Sequence, residues 1–124
     1  LEYIDKVVIM SIITEYSFGH IVVDGKVYTA DIIIFPDGSI QDSWWRDEGH
    51  RLTLKDLGDV VVAKPDIIVV GTGAYGVMKL DDTLSTALAE KEIDIVASPT
   101  GDAVKIYNAL SKDKNVIGCF HLTC

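Results

Sequence analysis

The chain has 124 residues, with 19 acidic side chains against 11 basic ones, a formal charge of −8 and a pI near 4.6. A composition that is 48% hydrophobic and 24% charged excludes a disordered acidic tail, and the acidic balance argues against electrostatically driven binding of nucleic acid or of an anionic membrane. At this length about two-thirds of the unfolded surface is buried on folding, so a core forms without disulfides or metal.

The first third reads as strands. Val7 to Ile13 is apolar and β-branched, and the runs His20-Ile-Val-Val and Lys26-Val-Tyr-Thr flank Asp24-Gly25, a dipeptide suited to a hairpin turn because both positions tolerate positive φ. Ile32 to Phe35 is a continuous apolar run closed by Pro36-Asp37-Gly38, which predicts a strand buried on both faces and ended by a turn. Gln41 to His50, with Trp44-Trp45-Arg46 and Gly49, follows neither period and reads as an irregular loop.

From Thr53 the period becomes helical. Thr53 with Asp56 three residues on reads as a helix start, Leu54, Leu57 and Val61 share a face, and Lys64-Pro65 stops the helix. Ile67 to Val70 reads as a buried strand that Gly71 ends, and a second helix is predicted over Asp82 to Lys91. Ile93 to Ala97 reads as a strand, Thr100 as the cap of a third helix carrying Val104, Tyr107 and Leu110 on one face, and Val116 to Leu122 as the last strand. Alternating strands and helices over 67–122 predict an α/β fold around a mixed sheet, with the hairpin of residues 16–30 attached to one side. No linker or repeat divides the chain, so residues 1–124 are expected to form one domain.

Gly71-Thr72-Gly73-Ala74-Tyr75-Gly76 matches G-x-G-x-x-G after a strand, yet Val77 to Leu80 intervenes before any helix cap and no carboxylate stands near position 98. A glycine-rich turn at the sheet edge is therefore preferred to a dinucleotide cofactor site. The same edge should receive Ser98-Pro99-Thr100-Gly101, and backbone N–H groups of both segments together offer a place for a small anion. In Trp44-Trp45-Arg46, successive side chains of an extended backbone point to opposite sides, so one indole is expected outward, while Arg46 has Asp42 and Asp47 as local partners. Aromatics and Arg are enriched at binding hot spots, which makes the loop from Trp44 to His50 a candidate contact surface.

His20, His50 and His121 are too scattered to predict a metal site. Cys119 and His121 share a strand face, but nothing indicates an activated thiol, so no catalytic residue is assigned. Cys119 and Cys124 lack any CxxC or Cys/His spacing, no apolar run reaches the length of a spanning helix, and Leu1 to Asp5 shows neither the basic nor the apolar part of a signal peptide, so a cytoplasmic setting is expected.

Several short signatures in fixed order then carry a resemblance: Ser17-Phe18-Gly19, Asp31 to Gly38, Trp44-Trp45-Arg46, Gly49-His50, Lys64-Pro65, Gly71-Thr72-Gly73, Pro99-Thr100-Gly101, Ala103-Val104, Asn108 and His121 to Cys124. Over essentially its whole length the chain resembles a family of small domains of unknown function that includes the adipogenesis-associated domain protein of animals and an assembly factor for mitochondrial respiratory complex I. The resemblance implies a three-layer α/β domain with a central mixed sheet and an inserted β-hairpin. It supplies no catalytic residues, and its assembly-factor member works through protein contacts.

Together these readings predict a non-enzymatic protein-binding or assembly-factor-like domain. Its expected surface comprises Trp44, Trp45, Arg46 and His50 beside Gly71, Thr72, Gly73, Tyr75 and Gly76, with Thr100 and Gly101 on the same rim. The alternative is a small-molecule or anion-binding enzyme sited between the glycine turn and Ser98 to Gly101, with Arg46 as charge partner.

Overall fold

The computed structural model describes residues 11–124. The strand expected over Val7 to Ile13 thus lies outside the described residues up to position 10, and Ile13 opens β1 (Ile13–Ser17). β1 pairs antiparallel with β2 (His20–Val23), which pairs with β3 (Lys26–Tyr28) in a three-stranded sheet. Asp24 and Gly25 between β2 and β3 have φ of 50° and 82°, the backbone that matches a two-residue turn to strand twist.

β4 (Ile32–Ile34) is buried throughout and returns as β5 (Ile40–Asp42). The pattern of the sequence places Gln41 and Asp42 in a loop, but the turn between the two strands closes tightly. Phe35 N–H reaches Ser39 O at 2.9 Å and the Asp37 carboxylate accepts the Ser39 amide at 2.9 Å, so the register of β5 is set by the turn. β6 (Arg51–Leu52) pairs parallel with β8 (Lys79–Leu80), two residues each.

The helix expected after Thr53 is split into a 3-10 turn over Leu54–Leu57 and α1 (Gly58–Val62). The Asp56 carboxylate accepts the Thr53 amide at 3.0 Å, as the spacing predicts, while Gly58 at the junction weakens helix propagation. β7 (Ile67–Thr72) continues past Gly71, because one neighbouring strand pairs as far as Gly71 and the other as far as Thr72. α2 (Leu84–Ala89) is shorter than the expected Asp82 to Lys91, and Glu92 at φ 60° turns the chain into β9 (Asp94–Ser98). α3 (Thr100–Leu110) and β10 (Val116–His121) complete the chain.

The central sheet has the order β5-β4-β10-β7-β9, with β10 parallel to β7, β7 parallel to β9, and β4 antiparallel to β10. Alternation in these strands divides the core in two. Ile32, Ile34, Val69, Val116 and Phe120 face α3 and the hairpin sheet, whereas Ile33, Ile68, Val70, Ile117 and Cys119 face Leu57, Val60, Leu84 and Leu88 of the opposite layer. This is the expected mixed α/β arrangement with a central mixed sheet, packed helices and an attached antiparallel hairpin element.

Candidate functional site

Three strand ends meet at one sheet edge. Ile32 pairs with Phe120, His121 with Thr72, and Gly71 with Ser98, so Asp31 just ahead of β4 lies beside the end of β10, on the same sheet edge as the ends of β7 and β9. Asp31 Oδ2 stands 2.8 Å from His121 Nδ1 and 2.9 Å from Arg46 Nη2, and Oδ1 accepts the Leu122 amide at 2.8 Å. Burial pushes the Asp31 pKa up, but hydrogen bonds from His121, the Leu122 amide and Arg46 outweigh it and hold the carboxyl below its ordinary value.

The ionised carboxylate only accepts and the guanidinium only donates, so His121 Nδ1 carries the proton shared with Asp31. Its approach to Arg46 Nη2, at 3.2 Å, is then a contact between two donors rather than a hydrogen bond. Nη2 also donates to Gly49 O at 3.2 Å, and the guanidinium lies over the Trp44 ring at 4.6 Å. Arg46 is therefore not paired with Asp42 or Asp47, the local partners that its neighbourhood suggested. Asp47 pairs with Lys55 at 3.0 Å.

The loop alternates as an extended backbone requires. Trp44 is 5% exposed with its Nε1 donating to Asp56 O at 3.3 Å, Trp45 is 74% exposed, and Arg46 turns inward again. Trp44 therefore belongs to the core rather than to a contact surface. Trp45 borders a depression of about 250 Å³ shared with Gln41, Asp47, Lys55, Asp56 and Asp59. His50 is exposed, with its ring edge-on to His121 at 6.2 Å.

The glycine turn and the start of α3 do come together, but they close on each other. Gly73 N–H donates to Thr100 Oγ1 at 2.9 Å, the Thr100 amide donates to Gly73 O at 2.9 Å, Ala74 N–H to Thr123 O at 2.7 Å, and Gly76 N–H to Gly73 O at 3.2 Å. These amides, which the sequence offered to an anion, are already spent within the protein. Thr100 does not cap its own helix either. Pro99 occupies the cap position, and the Thr100 hydroxyl donates to His121 O at 2.6 Å. Gly73 has φ 104°, and a Cβ there would stand 2.7 Å from the carbonyl oxygens of Thr123 and Cys124 and 2.9 Å from the His121 ring. The turn thus reaches the Trp44 to His50 loop through His121.

Thr72 is buried, and Gly101 sits in the first turn of α3 with open space above it. Tyr75 is 74% exposed and packs on Phe18 with ring centroids 6.2 Å apart. After Gly76 the chain runs into β8 rather than a helix, so the phosphate-binding helix start of a dinucleotide fold does not follow this turn. The Cys119 thiol is buried and pushed up by that burial, opposite to the shift that activates a nucleophile. Among the described residues no group of three or more His, Cys, Asp or Glu is placed to hold a metal, and no helix is long and apolar enough to cross a membrane.

Asp31 and His121 are the site residues that sequence reasoning missed, although both stood inside recognised segments. The one local signal was a charged residue abutting a wholly apolar strand at Asp31, and a polar residue continuing the apolar alternation of the last strand at His121.

A family model described as a protein of unknown function (DUF498/DUF598) matches residues 13–121. Among solved structures, a conserved hypothetical protein from Pyrococcus horikoshii is 29% identical, with a TM-score of 0.77 over 90% of this chain and 98% of that one. A protein described as an outer membrane protein from Bartonella henselae is 24% identical, with a TM-score of 0.76 over 93% of this chain and 97% of that one. A Mth938-like domain from Bordetella pertussis is 19% identical, with a TM-score of 0.71 over 90% of this chain and 85% of that one. The last two likenesses concern the fold alone.

Proposed function

Because the chain belongs to the DUF498/DUF598 family of proteins of unknown function, we propose its role from geometry: it is a non-enzymatic protein-binding domain, assembly-factor-like, whose anchor is Trp45. The observation that carries this reading is an indole 74% exposed between two residues, Trp44 and Arg46, that are both buried and hydrogen-bonded. An aromatic presented on a fixed support loses little side-chain freedom on binding, which is the condition under which such residues dominate an interface.

Three aspartates and one lysine border the Trp45 depression, and the chain as a whole carries −8. The complementary partner is therefore a protein with an apolar pocket rimmed by Lys and Arg. Tyr75 and Phe18 add an exposed aromatic pair to the single indole, carried by the glycine turn and the tip of the hairpin. The enzymatic alternative loses the Gly73, Ala74, Gly76 and Thr100 amides as donors to its anion.

The test is affinity capture from the native lysate with wild type, Trp45→Ala and Tyr75→Ala, followed by titration of the purified captured protein. The reading expects Trp45→Ala to keep its unfolding midpoint, to weaken the purified pair at least tenfold, and to leave an affinity that falls with added salt. Unchanged binding by Trp45→Ala would remove the indole from any interface.

A further inference from the structure

β5 is an outer strand of the central sheet, and one of its two sides has no strand partner among the described residues. The bond from Phe35 N–H to Ser39 O makes those residues a hydrogen-bonded pair, so in the alternation of an antiparallel ladder the next such pair is Ile33 with Gln41. Gln41 therefore spends its backbone groups on β4, and the N–H and C=O of Ile40 and Asp42 point away from the sheet. Among the described residues none of these four groups has a hydrogen-bond partner. Ser43 at φ 60° ends the edge with a bulge, and Trp44 N–H returns to Asp31 O at 2.7 Å. Ile40 to Asp42 are left as a short template for an added strand. On the face that carries Ile33 and Gln41, depressions of about 480 Å³ and 250 Å³ share Gln41 and Asp59 in their walls and so form one furrow along this edge. Phe35 and Pro36 line one end of it and Trp45 the other. Its charge is one-sided: four aspartates border it, and Lys55, its one cation, is committed to Asp47 at 3.0 Å. Asp37 and Asp56 accept the Ser39 and Thr53 amides, whereas the exposed Asp59 carboxylate, in the shared middle, has no partner among the described residues.

We propose that β5 takes an added strand: an extended, basic segment of the partner protein lies along Ile40 to Asp42 and exchanges backbone hydrogen bonds with both residues. The proposal rests on the Trp45 reading and gives it a binding mode, because the furrow ends at that indole. In an added strand the residue opposite Gln41 turns its side chain onto the Gln41 face, where Asp59 calls for Lys or Arg. Residues two positions to either side stand about 7 Å away on the same face. One of them meets Phe35 and Pro36 and the other meets Trp45, so both are apolar. Main-chain bonds then supply attachment, and this apolar, cationic, apolar order supplies selectivity. A second copy of the chain is the wrong occupant, since each copy carries −8 and edge-to-edge pairing would bring the two aspartate-lined furrows together.

The experiment titrates an acetylated, amidated heptapeptide, KVTKTVK, into the ¹⁵N-labelled protein and follows the Ile40 and Asp42 amides. Its sequence reads the same in both directions, so it presents valine, lysine and valine on one face whether it docks parallel or antiparallel. The proposal expects saturable shifts at both amides and hydrogen exchange there slowed at least tenfold at saturation. N-methylation of both threonines removes the donors of an antiparallel strand, and N-methylation of the central lysine and the following valine removes those of a parallel one; one of these two peptides should bind at least tenfold more weakly. Changing the central lysine to glutamate, or Asp59→Asn in the protein, should weaken binding at least threefold and flatten its salt dependence. Trp45→Ala should keep the Ile40 and Asp42 shifts, so loss of the indole reading and loss of this one are told apart. Full affinity in both N-methylated peptides, or shifts that never saturate or spare Ile40 and Asp42, would overturn the proposal. So would sedimentation of the protein alone as a dimer with those two amides already protected, which would give the edge to a second copy.

Discussion

Replacing Asp31 with Ala tests the polar cluster at the sheet edge most severely. The Asp31 side chain is 16% exposed and accepts from Arg46, His121 and the Leu122 amide, at 2.9, 2.8 and 2.8 Å. Its removal strands the Arg46 guanidinium, whose side chain is 4% exposed, with Gly49 O as its remaining acceptor. Breaking one side of a buried ion pair costs about 3–5 kcal/mol, a large part of the roughly 5–15 kcal/mol that stabilises a domain of this size. At about 3–5 °C per kcal/mol, the melting temperature should fall by roughly 10–20 °C. The double variant Asp31→Leu/Arg46→Met removes both charges and should cost less than Asp31→Ala alone, because no lone charge remains buried. Urea unfolding followed by circular dichroism measures all three proteins. If Asp31→Ala costs under about 1 kcal/mol, the pair behaves as a surface salt bridge and the reasoning fails.

Thr100→Val should cost about 2 kcal/mol or more, because the fully buried hydroxyl joins Gly73 N–H to His121 O; Thr100→Ser should recover most of the loss in the same urea assay. Gly73→Ala should lower stability by at least about 2 kcal/mol, since φ is 104° and the added methyl meets two carbonyl oxygens. The lowered Asp31 pKa fixes a pH response. Its stabilising contribution is fully present above the unfolded value near ~3.9 and is lost as pH falls through the folded value, so acid unfolding of Asp31→Asn should show a shallower pH dependence below about pH 4 than wild type.

Local chemistry made much of the fold legible. The Asp24-Gly25 turn, the Thr53–Asp56 bond and the apolar run of β4 each depend on residues a few positions apart, and each occurs where the sequence places it. β5 and the two-residue β6 and β8 were not legible, because nothing in Ile40 to Asp42, Arg51-Leu52 or Lys79-Leu80 favours a strand until a partner is delivered by the rest of the fold. The site failed for the same reason at longer range. Arg46 has acidic neighbours at positions 42 and 47, yet its partner is 15 residues away, and His121 joins Asp31 across 90. Thr100 has the residue type of a helix cap, but its hydroxyl is taken by backbone 21 and 27 residues distant. Alternation along Trp44-Trp45-Arg46, by contrast, depends only on local backbone geometry and separates the inward indole from the outward one.

The most direct test of the clamped loop is iodide quenching of its two tryptophans, read one at a time in Trp44→Phe and Trp45→Phe, with and without Asp31→Ala. With the clamp intact, Trp45 should quench nearly as readily as free indole and Trp44 should be shielded, and Asp31→Ala should open Trp44 to iodide. Equal accessibility of the two indoles in the otherwise unaltered protein would contradict a loop held inward by Arg46 on Asp31.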